Sequence, residues 1–589
     1  MGRSLCFWLA ALIPSFYFFF LRRPYLGDPL SDRGSELYLA WRLGAGDRLY
    51  LDYFYSMGGP IGPYLEALVF KLFGATWDSL VVLGFFVYLA LLILIGQIVR
   101  RTIDLTTGIA CMLFICFLFG FNQASVIANF NYLTPYRLNL PLALLFAVAS
   151  LASFCLGKSG KNSRFFSWLA GLCAALCFLA KGEILLALAG TYSAFFVYEI
   201  ILKKNVDEGA KARWTRVACG FFLAMASSLI FFSFLWKTSL ATAWLAIFSP
   251  YVLLWRGAFL QLHFYKYVMG LTDPDLGIHF LFVVVGGLGL VVAPFLIISR
   301  KTANAKFQLS ILVIASSAVL GLWYLWPLLG GHLILWETAA PFLCFAGAIL
   351  IGVNSKFSKM LGGSSVEVWF LAFTFGFLVS LRVLFASWSV HYGFVLALPS
   401  SLLVFVAFFG TVPCQRWWRA YLVVLLLPQA VRLNQLTEQY IKQKVVEMPW
   451  ADAKFHYYPS LSRPLLALDE YLRDKHSSAK NLSVLPEGLF YNFILKKPSP
   501  LPFTSLTPDQ YALFGREMTL TALKNSNADI IVIYPRPMAE FGVGQFTDGY
   551  GSELYQWIRQ SYVSDPSLPA ALKDFKIEVF LSRGYQMGR

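Results

Sequence analysis

Long apolar runs, separated by short polar segments, fill the first three quarters of the chain. Most have about 18 to 22 residues, the length that an α-helix needs to cross a lipid bilayer. The runs lie near residues 5–21, 79–99, 104–121, 138–157, 165–181, 184–202, 217–235, 278–299, 309–329, 333–353, 366–386, 390–411 and 417–431. The pattern therefore predicts an all-α, polytopic membrane domain of about 13 transmembrane helices over residues 1–431.

The pattern changes in residues 432–589, where charges of both signs and several prolines occur. The apolar, β-branched run within Ala528–Tyr534 is typical of a strand and is closed by Pro535. A short helical pattern extends from Leu554 to Tyr562. We therefore expect a smaller C-terminal α/β domain after the last span.

Composition narrows the class of protein. The chain has 58% hydrophobic and 14% charged residues, whereas soluble chains carry about 25% charged residues. This excludes an ordinary soluble enzyme. The net charge of +16 could suggest a nucleic-acid partner, but Lys and Arg occur in short clusters between apolar runs. Since that is the pattern of membrane topology, we expect membrane lipid and no nucleic acid as a partner.

The basic clusters also predict an orientation. Every second short loop is basic, as at residues 100–101, 158–164, 203–216, 300–306, 356–359 and 416–419, and the loops between them carry almost no positive charge. Basic loops stay on the cytoplasmic side. Three longer segments, residues 22–78, 236–277 and 432–589, therefore fall on the outer side.

The first outer loop, residues 22–78, is acidic and rich in Tyr, Gly and Pro. The stretches Pro29–Gly46 and Pro63–Phe73 read as short helices lying in the membrane interface. Carboxylates that are partly desolvated there have pKa values free to rise towards neutrality, which suits a general base acting on a hydroxyl. The alternative is that these acids cap helices or solvate the loop.

Four stretches of the chain resemble C-type (GT-C) glycosyltransferases, and most closely the bacterial group related to protein mannosyltransferases and lipid A aminoarabinose transferases. The first outer loop is similar over Asp32–Tyr38, Gly46–Asp52, Gly59–Pro60 and Leu65–Gly74. Matches follow in order at Asn131–Tyr136, at Phe178–Glu183, and in the tail at Leu485–Gly488 and Gly549–Ile558.

The resemblance implies that a sugar moves from a polyprenyl-phosphate carrier to an acceptor hydroxyl, with inversion at the anomeric carbon. The acceptor would be a glycan, a lipid or a protein. Asp32 is the expected catalytic base, with Glu36 and Asp52 orienting the acceptor or serving as the alternative base. With the predicted orientation, it also implies a bacterial inner-membrane protein whose active site and C-terminal domain face the periplasm.

The departing lipid phosphate requires cations at the same interface. The candidates that map there are Arg137, Lys181, Arg256, Lys266 and His332, and the matching stretches add Glu183 and Tyr132 to the substrate-binding set. The alternative for Lys181 is an ion pair with Glu183 at the membrane interface. Arg382, close to a span end, is expected to extend its charge to that interface. For Arg256 and Lys266 the alternative is a solvated loop that faces lipid headgroups.

Other functions stay open. A transporter or flippase of lipid-linked glycans predicts repeated halves and broken helices, and the sequence has neither; a non-catalytic membrane scaffold would use the tail to bind a partner. The first-loop acids could hold a divalent metal ion, but their spacing resembles no defined site. No P-loop or other cofactor motif is present.

Overall fold

A computed structural model describes residues 2–158, 162–203, 208–255, 258–272, 335–353, 366–389, 391–410 and 415–587, together with residue 313. The predicted spans near 278–299 and 309–329 lie outside these ranges, apart from that single residue. So do two of the candidate cations, Arg256 and His332.

The first part of the chain is helical. Its described helices are α1 (Gly2–Arg22), α2 (Arg33–Ala45), α3 (Ile61–Phe73), α4 (Trp77–Thr102), α5 (Leu105–Ile115), α6 (Asn139–Leu156), α7 (Ser163–Ala180), α8 (Gly182–Lys203), α9 (Glu208–Leu235), α10 (Leu240–Trp255), α11 (His263–Met269), α12 (Leu335–Val353), α13 (Val366–Ser380), α14 (Phe394–Gly410) and α15 (Gln415–Gln443). Helices α2 and α3 confirm the two short helices predicted in the first loop.

Seven of the described helices, α1, α4, α6, α7, α8, α9 and α13, are long and apolar enough to cross a membrane. Shorter apolar helices are α5 with the π-helical turn that follows it, α10, α12 and α14. The predicted all-α multi-spanning domain is therefore confirmed, while the number thirteen stays a prediction. Helix α10 lies inside the segment 236–277 that the sequence assigned to an outer loop, and α15 continues past the predicted end at residue 431 to Gln443.

Polar side chains fix where the membrane helices begin. Thr76 caps α4, because its hydroxyl oxygen accepts a hydrogen bond from the Ser79 amide at 3.2 Å. Asp104 caps α5 in the same way through the Thr107 amide at 2.7 Å. The second carboxylate oxygen of Asp104 pairs with Arg419 of α15 at 2.8 Å. This pair ties the first turn of α5 to the first turns of α15.

The tail has the predicted α/β character. Its elements are β1 (Val446–Glu447), β2 (His456–Tyr457), α16 (Pro459–His476), β3 (Leu482–Leu485), α17 (Leu489–Leu495), α18 (Pro508–Phe514), α19 (Arg516–Asn525), β4 (Ile530–Ile533), α20 (Ser552–Ser561), β5 (Val563–Ser564), α21 (Ala570–Asp574), β6 (Glu578–Leu581) and α22 (Arg583–Met587). The sheet has the order β3-β4-β6-β5, with β3 and β4 parallel and the other pairs antiparallel. Strand β4 and helix α20 confirm the two predicted segments.

The tail packs directly on the first loop. The Phe54 amide donates to the Pro502 carbonyl at 2.6 Å, and the Ser499 amide donates to the Tyr38 hydroxyl at 2.8 Å. Helix α2 approaches α17 so closely that a Cβ at Gly34 would lie 2.2 Å from the Pro29 carbonyl oxygen and 2.7 Å from the Phe490 Cβ. Only glycine fits at residue 34, and the close approach fixes the start of α2 against the tail.

A buried polar network stabilises the tail and gives a prediction independent of function. Asp565 accepts a hydrogen bond from the Tyr471 hydroxyl at 2.5 Å and lies 2.7 Å from Nε2 of His476, all out of solvent. We expect Asp565→Ala to lower the free energy of unfolding of the tail by about 3 kcal/mol, because two buried polar partners lose their acceptor. Limited proteolysis of the full-length protein measures this as faster cleavage within the tail. The matched control, Asp574→Ala, removes an exposed carboxylate; equal cleavage rates in the two variants would contradict the prediction.

Candidate active site

A tight turn positions Asp32 at the start of α2. One carboxylate oxygen of Asp28 accepts hydrogen bonds from the backbone amides two and three residues further on, at 3.0 and 2.8 Å. The other accepts from the Tyr457 hydroxyl at 2.9 Å. Asp28 is therefore a structural residue that anchors the turn to the tail.

Asp32 itself lies at the centre of a γ-turn. The Arg33 amide donates to the Ser31 carbonyl at 2.6 Å, and Asp32 has φ 59° and ψ −59°. This conformation is rare and strained for any residue with a side chain. Strained residues cluster at active sites, where the surrounding structure holds them in place. The backbone thus marks Asp32 among the acids of the first loop.

The Asp32 carboxylate has partners and is still reachable. A guanidinium nitrogen of Arg137 lies 3.6 Å from one oxygen, and the Asn129 amide donates to the other at 3.4 Å. The side chain keeps 15% of its exposure. Burial raises the pKa of Asp32 to about 7, although the positive charge of Arg137 opposes the shift. A carboxyl group with such a pKa is suited to act as a general base near neutral pH.

Two further carboxyl groups lie close by. Glu36, one turn further along α2, pairs with Arg33 at 3.1 Å, and Glu66 projects from α3. Both are buried, and burial raises the pKa of each carboxyl group. The sequence interpretation missed Glu66, although its spacing from Gly62, Pro63 and Phe70 places it on the buried face of the helix. Glu36 lies near enough for its charge to act on both Asp32 and Glu66.

Lys181 is brought to the same place by the break between α7 and α8. Its ammonium group donates a hydrogen bond to the carbonyl of Met57 in the first loop. Two residues on, the Gly59 amide donates to the Ala180 carbonyl at 2.9 Å. Burial lowers the pKa of Lys181 to about 8, and the positive charge of Arg137 adds to the effect. The first loop therefore contacts the end of α7, and Arg137, which pairs with Asp32, also lies near enough to Lys181 for its charge to act there.

Glu183 has an ion-pair partner that the sequence did not predict. Glu183 pairs with Arg382 at 2.5 Å, rather than with Lys181, whose hydrogen bond goes to a carbonyl. The reason is topological, because the 3₁₀ turn after α13 places the guanidinium group beside the first turn of α8. The sequence distance between the two residues concealed this pair.

The other predicted site residues lie elsewhere. Asp52 is held by Arg48 at 2.7 Å, and these hydrogen bonds lower its pKa, so it binds a proton weakly. Lys266 is exposed on α11. Tyr132 is fully buried with its ring 5.3 Å from that of Phe394, and its hydroxyl has no hydrogen-bond partner among the described residues. Its surroundings are those of a packing residue.

Side chains of the tail border the site as well. Arg536, just after β4, pairs with Glu487 and Glu540, and its positive charge lowers the pKa of Asp32. Gln510 of α18 accepts a hydrogen bond from the Ser56 hydroxyl at 3.0 Å. Within the described ranges, no three His, Cys, Asp or Glu side chains converge as a metal site. The three expected catalytic acids instead pair with guanidinium groups.

Comparisons with known proteins give structural neighbours only. No protein-family model and no curated protein matches the chain. The archaeal oligosaccharyltransferase AglB from Archaeoglobus fulgidus, in complex with an inhibitory peptide and a dolichol-phosphate, matches with a TM-score of 0.49 and 12% identity over 90% of this chain and 69% of that one. ArnT from Cupriavidus metallidurans, bound to undecaprenyl phosphate, matches with a TM-score of 0.40 and 13% identity over 98% of both chains.

The arabinofuranosyltransferase AftD from Mycobacteria is also similar in structure. It matches with a TM-score of 0.41 and 11% identity, over 98% of this chain and 40% of that one. All three neighbours are C-type glycosyltransferases, the class that the sequence resembles. TM-scores and sequence identities this low give no information about a shared substrate.

Proposed function

We propose that this chain is a membrane glycosyltransferase that moves a sugar from a polyprenyl-phosphate carrier to an acceptor hydroxyl. One observation carries the proposal: Asp32, whose pKa burial raises to about 7, lies beside the buried cation Arg137, and the half-buried cation Lys181 lies near enough to Arg137 to feel its charge. A base for a hydroxyl and positive charge for a phosphate are the two groups that this transfer requires.

The proposed reaction is a single displacement. The acceptor oxygen attacks the anomeric carbon and forms the new glycosidic bond, while the bond from that carbon to the phosphate oxygen breaks. The hydroxyl proton passes to the Asp32 carboxylate, and the electron pair of the broken bond leaves with the lipid phosphate. Attack opposite the leaving group inverts the anomeric configuration. The Asp32 side chain is partly exposed, so a hydroxyl group bound in the site can reach its carboxylate.

Arg137 and Lys181 are placed to stabilise the departing phosphate. The Nε atom of Arg137 is buried and has no hydrogen-bond partner in the described part of the chain. Lys181 uses one of its three N–H groups on the Met57 carbonyl. Preorganised donors in a site shielded from water stabilise a developing anion strongly. The donors of these two side chains therefore support the binding of an anion.

The location follows from the charge pattern. Since the site lies in the first loop, and the basic loops are those expected in the cytoplasm, we place the reaction on the periplasmic face of a bacterial inner membrane. The tail, as an extracytoplasmic domain, borders the site and would contact the acceptor. Transport of a lipid-linked glycan is the weaker alternative, since it gives no role to a carboxylate held in a strained turn.

The rate of transfer should depend on pH in a bell shape. The rate is expected to rise as the pH increases through about 7, because Asp32 must lose its proton to act as a base. It is expected to fall above about 8, because Lys181 then loses the charge that stabilises the phosphate. Initial rates in detergent, with lipid-linked sugars extracted from the host membrane as donors, test both limbs. A rate that is constant between pH 6 and 9 contradicts the assignment.

The function itself is tested in cells. Mass spectrometry of envelope glycans and lipids, in cells with and without this chain, should show one sugar residue missing from a defined acceptor when the chain is absent. The lipid-linked donor should accumulate at the same time. If glycans and lipids have identical masses in both strains, the transferase proposal fails.

A further inference from the structure

The tail contains a cleft of about 460 Å³, and its lining includes Arg536, the tail residue that borders the candidate active site. It lies at the carboxyl end of β4, where Tyr534, Pro535 and Arg536 follow the strand. In the antiparallel pair, Ile533 of β4 lies opposite Glu578 of β6, so the segment before β6 forms the other wall. In open α/β sheets, ligands bind at the carboxyl ends of strands. The volume is in the range of sites that hold small molecules.

The lining of the cleft has a definite chemistry. The lining includes two lysines, Lys573 and Lys576, and one carboxylate, Glu578, while Arg536 is already paired with two carboxylates outside the lining. Lys573 and Lys576 are exposed, and neither has an ion-pair partner within the described ranges. The walls add hydroxyl and amide groups from Gln545, Thr547 and Ser564. The neutral groups can form hydrogen bonds with the hydroxyl groups of a sugar, and the excess of positive charge suits an anionic substituent on that sugar.

One residue links the cleft to the catalytic carboxylate. Arg536 lines the cleft, is fixed by Glu487 and Glu540, and lies near enough to Asp32 for its positive charge to oppose the rise that burial causes in the pKa of that carboxyl group. Because β3 and β4 are parallel neighbours, the loops after both strands meet here and hold the arginine in place. A sugar chain seated in the cleft would therefore lie beside the base.

We propose that the cleft binds an acidic sugar unit of the acceptor, carrying a carboxylate or a phosphate group. This inference rests on the proposed function and gives it a substrate class. The anion lies against Lys573 and Lys576, and the neutral hydroxyl groups lie against the polar walls. The unit that receives the new sugar then extends past Arg536 towards Asp32.

The test is binding to the purified full-length protein in detergent, measured by saturation-transfer NMR. Digalacturonic acid supplies a carboxylate, glucose 6-phosphate supplies a phosphate, and lactose is the neutral probe. At least one anionic probe should bind more tightly than lactose. The double variant Lys573→Ala/Lys576→Ala should weaken that binding about tenfold, since each exposed ion pair contributes modestly. The matched control Lys475→Ala, which removes an exposed lysine of α16, should bind as the unchanged protein does.

The outcomes separate this inference from the function on which it rests. Equal binding of lactose and both anions, or a double variant with unchanged affinity, overturns the cleft assignment even if transfer is observed. Which anion binds identifies the substituent. Anion binding that depends on the two lysines, in a protein that transfers no sugar, supports the cleft and removes the transferase. Binding should also persist in Asp32→Asn, because that carboxylate lies outside the lining of the cleft.

Discussion

Replacing Asp32 by Asn is expected to lower the rate of sugar transfer by about 10²- to 10⁴-fold, the usual contribution of a general base. The amide keeps the shape of the side chain and cannot take the proton from the acceptor hydroxyl. The rise in rate near pH 7 should disappear with it, since that limb reports the ionisation of Asp32. Initial rates measured between pH 6 and 9 check both effects.

The same substitution should leave the fold intact. Burial raises the pKa of Asp32 above the value of an unfolded chain, near 3.9. The folded state therefore binds this proton more tightly, and the ionised side chain lowers stability increasingly as the pH rises from about 4 to about 7. Above pH 7, Asp32→Asn should have a thermal midpoint equal to or higher than that of the unchanged protein.

Two comparisons make the Asp32 result specific. Asp474→Asn removes an exposed carboxylate of the tail and should leave transfer unchanged. Asp52→Asn tests the alternative base, and because Arg48 lowers the pKa of that carboxyl group, its effect should be much smaller than that of Asp32→Asn. Full activity of Asp32→Asn, or a greater loss in Asp52→Asn, would remove Asp32 from the mechanism.

Replacing Lys181 by Gln is expected to lower the transfer rate by about 10²- to 10³-fold, as for other preorganised groups that stabilise a developing anion. Glutamine can still donate to the Met57 carbonyl, so the contact between the first loop and α7 should survive. What is lost is the positive charge near the departing phosphate. Steady-state kinetics should show the loss in kcat as well as in kcat/KM, because the charge acts mainly in the transition state.

Lys181→Arg separates charge from structure. Arginine stays protonated at all relevant pH values, so this variant should recover part of the rate. The fall in rate above pH 8, which the lowered pKa of Lys181 causes, should move to higher pH or vanish. The matched control Lys480→Gln changes an exposed lysine of the tail. If Lys181→Gln transfers as fast as this control, Lys181 does not contact the phosphate.

The sequence was sufficient for the architecture and for part of the site. Apolar run length predicted the membrane helices, and the change of pattern after residue 431 predicted the α/β tail, because both depend on local composition. The acidic residues and the two short helices of the first loop were also predicted from local composition. Asp32, Arg137 and Lys181 were all identified as candidates, and the structure brings them together.

The residues that the sequence missed depend on contacts between distant segments. Arg382 pairs with Glu183 across nearly two hundred residues, and Gln510 and Arg536 reach the site only because the tail docks on the first loop. Periodicity carries no information about such pairings. Tyr132, a predicted substrate-binding residue in a matching stretch, packs against the rings of Tyr88 and Phe394, and the stretch itself does not reveal that packing. The strain at Asp32 likewise follows from the turn geometry and leaves no mark in composition.

A cryo-EM structure of the full-length protein with undecaprenyl phosphate tests most directly whether the base and the phosphate-binding cations share one site. We expect phosphate density within hydrogen-bonding distance of the Lys181 ammonium or the Arg137 guanidinium group. The space between that density and the Asp32 carboxylate should be large enough for a sugar ring. Phosphate density at the opposite end of the helices, or separated from Asp32 by packed side chains, would contradict a shared site for base and leaving group.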